Sequence, residues 1–458
     1  MQRPVGDHKD GTEKPLWRQL VTFLLPLMAA NILQSMSSTI TNIFMGQLIG
    51  VQALAAMSAF FPFLFLILSF LIGISSASSV LIGQTFGARD LLKMRTVAGT
   101  TLTAGFVLGI IVGGIGGIYA DEMMVLAATP PDIRADATEY ARITFYSMPA
   151  FSIFIAYTTF LRGTGDARTP FLALIVSALI GFFTTPALIL GWLGLPKLGV
   201  LAGAYAALIG NLLTMAWLAV YLLRKGHLLA PSRMLLARLA IDWKILWTLV
   251  KIGVPTAFQV ILISLSELAV ITFVNAFGSQ ATAAYGAVNQ VASFVQLPAM
   301  SIGIAASVFG AQAIGRGDSA RLRDITRTSL LINLIICVAL IGIVYLFSRT
   351  ILGFFITDPP TLEIAQRLVM ITLWSYVVFG TTNVLSGIMR SSGTVLVPTT
   401  LSIAAIWLIQ VPVAYFLSQR IGIDGIWIGY PAAFLVTLAL QAAYFRFVWR
   451  KKSFTRLV

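Results

Sequence analysis

LWTLVKIGVPTAFQVILISLSELAVITFVNAF, residues 246–277, holds a single acid, Glu267, and a single base, Lys251. As a helix the run reaches about 48 Å, well beyond the ~30 Å hydrocarbon core of a bilayer. In lipid every backbone amide must find its partner inside its own segment, so a run of this kind crosses as a helix. Glu267 lies well away from both ends of it. Of the seventeen acids in the chain, it alone falls deep inside a long apolar segment. An ionised carboxylate there costs about 2.5–3.5 kcal/mol or more, so an intramembrane acid points to a function, and here to transport.

The rest of the chain has the same character. It has 458 residues, 58% of them hydrophobic and only 10% charged, against about 25% charged in a soluble domain. A net charge of +14 invites a nucleic-acid reading, but the basic residues sit in short loops between apolar runs, so membrane lipids are the expected partners and nucleic acid is not. One cysteine, Cys337, excludes a disulfide framework, and His8 and His227 cannot assemble a metal site with it. No Walker-type phosphate loop and no paired acids are present, which argues against an ATP-driven pump or an enzyme and implies no cofactor beyond a coupling ion, H⁺ or Na⁺. Nothing in the sequence calls for a partner chain, so a monomer is expected.

Twelve runs are long enough to span: 16–45, 53–81, 97–119, 138–161, 170–192, 200–223, 246–276, 282–309, 325–347, 364–388, 397–418 and 425–447. The first is too long for a signal-peptide core and is expected to stay as an uncleaved helix. With both termini inside, 24 Lys and Arg residues fall on the inner side and four, Arg134, Lys197, Arg349 and Arg420, on the outer. That asymmetry fixes a multi-pass protein with cytoplasmic termini. The expected organisation is an amino-terminal tail (1–15), a six-helix lobe (16–223), a cytoplasmic linker (224–245), a second six-helix lobe (246–447) and a basic tail (448–458). In the linker, Met234, Leu235, Leu239 and Trp243 alternate with Arg238, Asp242 and Lys244, the pattern of a short helix on a membrane surface.

Shifting the chain by 228 positions sets Gln84, Gly87, Asp90 and Arg95 on Gln312, Gly315, Asp318 and Arg323, and Arg162, Gly165 and Pro170 on Arg390, Gly393 and Pro398. Agreement of polar loop residues at one offset marks two homologous halves. Six helices is an even number, so both halves enter from the same side, the parallel-repeat arrangement of secondary transporters. The partner of Glu267 at this offset is Thr39: the acid breaks the repeat.

Polar residues at helical spacing mark the faces expected to line a cavity. On the first span these are Gln34, Ser38, Thr41 and Asn42; on the seventh, Gln259 and Ser266 beside Glu267; on the eighth, Asn289 and Gln296. Trp374, Phe379 and Asn383 on the tenth join them as candidate substrate contacts, the aromatic rings through cation–π attraction. Interhelical hydrogen bonding is the competing explanation for each amide or hydroxyl. Pro26 and Pro255 hold nearly equivalent places near the start of each half's lead helix and are the candidate hinges. A carboxyl at position 267 can carry a proton, hold Na⁺ or pair with a cationic substrate, and competition among these guests is a physical basis for antiport.

The loops IGQTFGARD (82–90) and LRGTGDARTP (161–170), repeated as FGAQAIGRGD (309–318) and MRSSGTVLVP (389–398), and the opening PLMAANILQSMSSTITNIFMGQLIG resemble the multidrug and toxic compound extrusion (MATE) family, bacterial type, over nearly the whole chain. The resemblance implies an all-α integral membrane protein of two six-helix bundles. It also implies a bacterial inner-membrane antiporter that expels organic cations or amphiphilic drugs in exchange for H⁺ or Na⁺ by alternating access. It would put the family's first-helix aspartate at Thr41, its helix-10 aspartate at Phe379, and its helix-7 glutamate near Ile263, one turn before Glu267 on the same face. The nearest rival within transport is a flippase for lipids or lipid-linked glycans; outside transport it is a membrane scaffold or enzyme.

Overall fold

The computed structural model describes residues 15–458; His8, Arg3, Lys9 and Lys14 lie outside the described residues. Eleven helices are long and apolar enough to cross a membrane, and a twelfth crossing is a pair bent by 50°. In chain order they are α1 (Leu16–Leu48), α2 (Val51–Gly87), α3 (Leu91–Ile118), α4 (Pro131–Tyr146 with Met148–Gly163), α5 (Arg168–Leu190) and α6 (Gly199–Lys225). The second half follows with α7 (Trp243–Asn275), α8 (Ser279–Arg316), α9 (Ser319–Leu346), α10 (Pro359–Ser391), α11 (Leu396–Ile421) and α12 (Ile423–Lys451). Several outrun their apolar windows: α2 and α8 have 37 and 38 residues, about 55 Å of helix. The extra turns carry the polar residues Gln84–Gly87 and Gln312–Arg316, so each helix projects past the hydrocarbon at the end rich in Lys and Arg. We call that the basic end and its opposite the far end.

The sequence repeat is also a backbone repeat. Gly50 and Gly278, 228 positions apart, enter α2 and α8 at φ +121° and +93°, and Gly165 and Gly393 turn at +90° and +78°. Asp90 and Asp318 each cap the next helix by accepting the N–H three residues on, from Lys93 and Arg321. The bend of α4 at Ser147 recurs as a 3₁₀ turn at Leu373–Ser375 in α10. Gly199 and Gly422, at φ +53° and +72°, stand only 223 apart, so the last helix of the second half starts five residues early in the repeat. One pair is mismatched: Arg89, at φ +58°, occupies the place where the second half has Gly317 at +75°. A left-handed backbone costs an L residue about 1–2 kcal/mol. A Cβ on Gly317 would meet nothing within 4 Å, so steric packing does not confuse the comparison. Arg89→Gly is expected to stabilise the protein by about 0.5–1 kcal/mol, and Gly317→Ala to cost about 1 kcal/mol, read as opposite shifts of the unfolding midpoint in detergent.

The lead helix of each half is shared. In its first turns α1 packs Leu20, Phe23, Leu24 and Leu27 against Ile302, Ala305, Ile325 and Ile388 of the second half. In reciprocal fashion α7 packs Ile245, Leu249 and Ile252 against Ala77, Leu81, Met94 and Val97 of the first. Toward the far end each returns to its own half: Met45 joins Ala53, Ala56 and Ile189, and Val270 and Val274 join Tyr285, Trp427 and Tyr430. The mixed clusters thus lie at the basic end, and each far-end cluster is drawn from one half alone. Both Pro26 and Pro255 lie inside continuous helices.

Around the local two-fold axis, α2 and α8 touch backbone to backbone. A Cβ on Gly87 would stand 2.1 Å from the Gln312 carbonyl oxygen, and one on Gly315 would stand 2.0 Å from that of Gln84. The two glutamines then reach across: Gln84 Nε2 donates to the Ser391 carbonyl at 2.7 Å, and Gln312 Nε2 donates to that of Gly163 at 3.0 Å. The carboxy-terminal segment lies over this seam, its Leu457 N–H donating to Gln84 Oε1 and Arg456 Nε to the Gly315 carbonyl. The linker differs from expectation: it forms one helical turn, Arg233–Leu236, and is then pinned to α3 by Thr100, which donates to the Ala240 carbonyl and accepts the Asp242 N–H. Those backbone bonds to α3 replace a longer surface helix.

Candidate functional site: a cavity in one lobe and a carboxyl in the other

In the far half of the first lobe, α1, α2, α4, α5 and α6 enclose a cavity of about 810 Å³. Its polar groups include Gln34, Ser38, Thr41, Asn42, Tyr140 and Asn211; its aromatic wall includes Phe60, Phe61, Phe151, Phe154 and Phe182. No Asp, Glu, Lys or Arg lines it. A guest is therefore held by apolar contact, aromatic faces and neutral hydrogen bonds, a lining suited to drug-sized amphiphiles.

Small residues on α5 and α6 make the space. Ala178, Gly181, Gly203, Ala207 and Gly210 line it, and a Cβ on Gly181 would meet nothing within 4 Å. The second half has larger groups at equivalent places: Ile406 for Ala178 and Ile409 for Gly181 at the 228 offset, Tyr430 for Ala207 and Phe434 for Asn211 at the 223 offset. On α8, Tyr285 stands where α2 has Met57, itself a lining residue. Tyr285, Tyr376, Phe379, Tyr430 and Phe434 fill the interior of the second lobe, with ring contacts between Tyr376 and Phe379, Tyr376 and Phe434, and Phe379 and Phe434.

Glu267 lies at the edge of this aromatic core, eight residues or about 12 Å from the end of α7. Its Oε2 accepts the hydroxyl of Tyr285 on α8 at 2.8 Å and that of Tyr430 on α12 at 2.9 Å. The two hydroxyls are 3.0 Å from each other, and the Tyr285 ring stacks on Trp427 with centroids 5.7 Å apart. Asn289, one turn along α8, reaches the Tyr285 hydroxyl. Among the described residues Glu267 makes no ion pair; the pairs present join Arg142 to Glu139, Lys225 to Asp166 and Arg367 to Asp424. A half-buried carboxyl held by hydroxyls alone is free to change its proton or cation without breaking a salt bridge.

The MatE family model matches this chain twice, at residues 26–187 and 255–416. The chain belongs to that family. The two matches are the two lobes, and the MATE chain is accordingly a multi-pass membrane transporter of small molecules acting in multidrug efflux, not an enzyme. It is 48% identical to the probable multidrug resistance protein YoeA of Bacillus subtilis, over 100% of this chain and 99% of that one. Its fold matches a mutant of the Vibrio cholerae MATE transporter VcmN with a TM-score of 0.86 at 17% identity, covering 96% and 98% of the two chains. It also matches an outward-facing multidrug resistance MATE transporter of the MOP superfamily with a TM-score of 0.84 at 21% identity, covering 94% and 95%.

Of the polar residues singled out in this MATE chain, the structure gathers Gln34, Ser38, Thr41 and Asn42 at the first-lobe cavity. Only Asn289 joins Glu267 through a hydrogen-bonded hydroxyl. The others have structural engagements: Gln259 accepts from Thr399, Ser266 donates to the Ile263 carbonyl, and Asn383 donates to the Phe379 carbonyl. Gln296 is half-buried on α8, and Trp374 is exposed at the 3₁₀ turn of α10, where its N–H donates to the Tyr345 hydroxyl. The positions to which the resemblance assigns further acids hold none: Thr41 donates to the Ser37 carbonyl, and Phe379 packs in the aromatic core. Sequence reasoning missed Tyr285 and Tyr430. The comparison that isolates Glu267 against Thr39 would also have isolated Tyr285 against Met57.

Proposed function

We propose that this chain is a secondary antiporter that exports organic cations and amphiphilic drugs across the bacterial inner membrane in exchange for H⁺ or Na⁺, with Glu267 as the coupling carboxylate. The observation that carries the reading is the division of labour between lobes: a drug-sized uncharged cavity in the first and a hydroxyl-held acid in the second. The basic end faces the cytoplasm by the distribution of Lys and Arg, so the half-molecules meet on the inner side and part on the outer. Alternating access then reverses that closure, with 16–223 and 246–447 moving as lobes and the shared segments of α1 and α7, near Pro26 and Pro255, absorbing the change. Exchange arises because the ion and the drug each favour one arrangement of the same two bodies, not because they displace each other from one pocket. Each molecule contains a complete cavity and a complete acid site, so a monomer suffices.

A flippase for anionic lipid headgroups would need Lys or Arg in the cavity, and none lines it. The test is efflux of a fluorescent organic cation from proteoliposomes, with pH and Na⁺ gradients imposed separately. Efflux driven by either gradient supports the antiporter; gradient-independent movement of labelled lipid with no dye efflux supports the flippase.

A further inference from the structure

Three oxygens, Glu267 Oε2 and the hydroxyls of Tyr285 and Tyr430, form a triangle with sides of 2.8, 2.9 and 3.0 Å. Every side is of hydrogen-bond length for O–H···O contacts. Three such bonds require three hydrogens. The two tyrosines supply one each, and both are consumed if they point at an ionised carboxylate. The remaining side would then set two hydroxyl oxygens lone pair to lone pair at 3.0 Å. One added proton on Oε2 resolves this: each oxygen donates once and accepts once, and the ring closes.

A bound cation does not produce this geometry. Bonds of 2.3–2.6 Å, the range for Ca²⁺, hold neighbouring oxygens of an octahedral shell about 3.3 Å apart or more, and Na⁺ is of similar size. A sodium site also needs five or six oxygens, whereas the surroundings of this triangle are the rings of Tyr376, Trp427 and Phe434. The titratable groups facing Glu267 are Tyr285 on α8, Tyr430 on α12 and Tyr376 on α10. Of the other helices packed on α7, α2 has no charged residue and α11 has only Arg420, next to its far end.

We propose that the coupling ion is a proton, and that Tyr285 and Tyr430 are positioning residues that select it by closing a ring of three hydrogen bonds with protonated Glu267. This rests on the reading of Glu267 as the coupling carboxylate. The step breaks one O–H bond of the carboxyl and transfers the proton to water; reprotonation from water on the other side reverses it. Deprotonation turns one side of the triangle repulsive, which separates the two hydroxyls and hence α8 from α12, the helices joined by the stacked Tyr285 and Trp427 rings.

The test combines infrared difference spectra of the purified full-length protein, acid minus alkaline, with radioactive sodium binding and proteoliposome efflux. The expected spectrum contains the carbonyl stretch of a protonated carboxylic acid, absent in Glu267→Gln and shifted in Tyr285→Phe and in Tyr430→Phe. Each phenylalanine variant keeps its ring packing and is expected to lower pH-driven efflux about tenfold. Sodium neither binds saturably nor drives efflux. Saturable sodium binding that Glu267→Gln removes, with efflux driven by Na⁺ alone, would overturn the proton while keeping Glu267 as the coupling acid. A carbonyl band left in place by both phenylalanine variants would remove the tyrosines from the role. Intact pH-driven efflux in Glu267→Gln would instead defeat the underlying assignment.

Discussion

Glu267→Gln is expected to reduce gradient-driven efflux in proteoliposomes to the passive leak while the protein still folds and still binds drug. Glutamine has nearly the same shape, and its side-chain oxygen still accepts from Tyr285 and Tyr430, so stability should stay within about 1 kcal/mol of wild type. What it lacks is any change of charge, and without that no ion can bias the two arrangements of the lobes. Glu267→Ala makes the contrast. It strands two hydroxyls at the edge of an aromatic core, and unmade hydrogen bonds of that kind cost about 1–3 kcal/mol each. Both variants should therefore fail to couple, but only the alanine should melt early. Gradient-driven efflux by the glutamine variant at the wild-type rate would refute the assignment.

Ala207→Tyr is expected to close the first-lobe cavity. Ala207 lines that cavity, and its counterpart in the second half, Tyr430, is one of the rings that fill the same region there. Transplanting the ring should weaken binding of large amphiphiles at least tenfold, a loss of about 1.4 kcal/mol, and depress their efflux in parallel. Its cost in stability should be small, because the new side chain enters open space and not packed core; overpacking of a filled site costs about 1–3 kcal/mol. Ala207→Ser leaves the space open and should transport normally. Undiminished affinity for bulky drugs in Ala207→Tyr would show that they bind elsewhere.

The architecture was legible because membrane burial forces long apolar runs, and the repeat was legible because loop residues such as Gln84 and Gln312 have reciprocal duties at the lobe seam. Glu267 was legible for a related reason: charge in an apolar run is rare enough to stand out alone. The cavity was not. It is made by what Gly181, Ala178 and Ala207 lack, and small residues in a membrane helix equally signal close packing. The polar stripe of α7 misled in a second way, since Gln259 and Ser266 satisfy each other's neighbourhood within the lobe and face no cavity. Hydroxyl and amide groups bond locally so readily that only an acid, or a departure from the repeat, separates a working residue from a packing one. The five-residue advance of α12 hid the pairing of Ala207 with Tyr430, which becomes visible once Gly199 and Gly422 are seen to share a left-handed backbone.

The central claim is that drug and coupling ion occupy different lobes. Its most direct test is a high-resolution structure of the protein with a bound brominated amphiphile, located by the anomalous signal of bromine. The account predicts bromine between α1, α2, α5 and α6, within contact of Gln34, Asn42 and Asn211, with the Glu267–Tyr285–Tyr430 triangle unbroken by the drug. Bromine lodged in the second lobe against Glu267, with the tyrosine hydroxyls displaced, would contradict it.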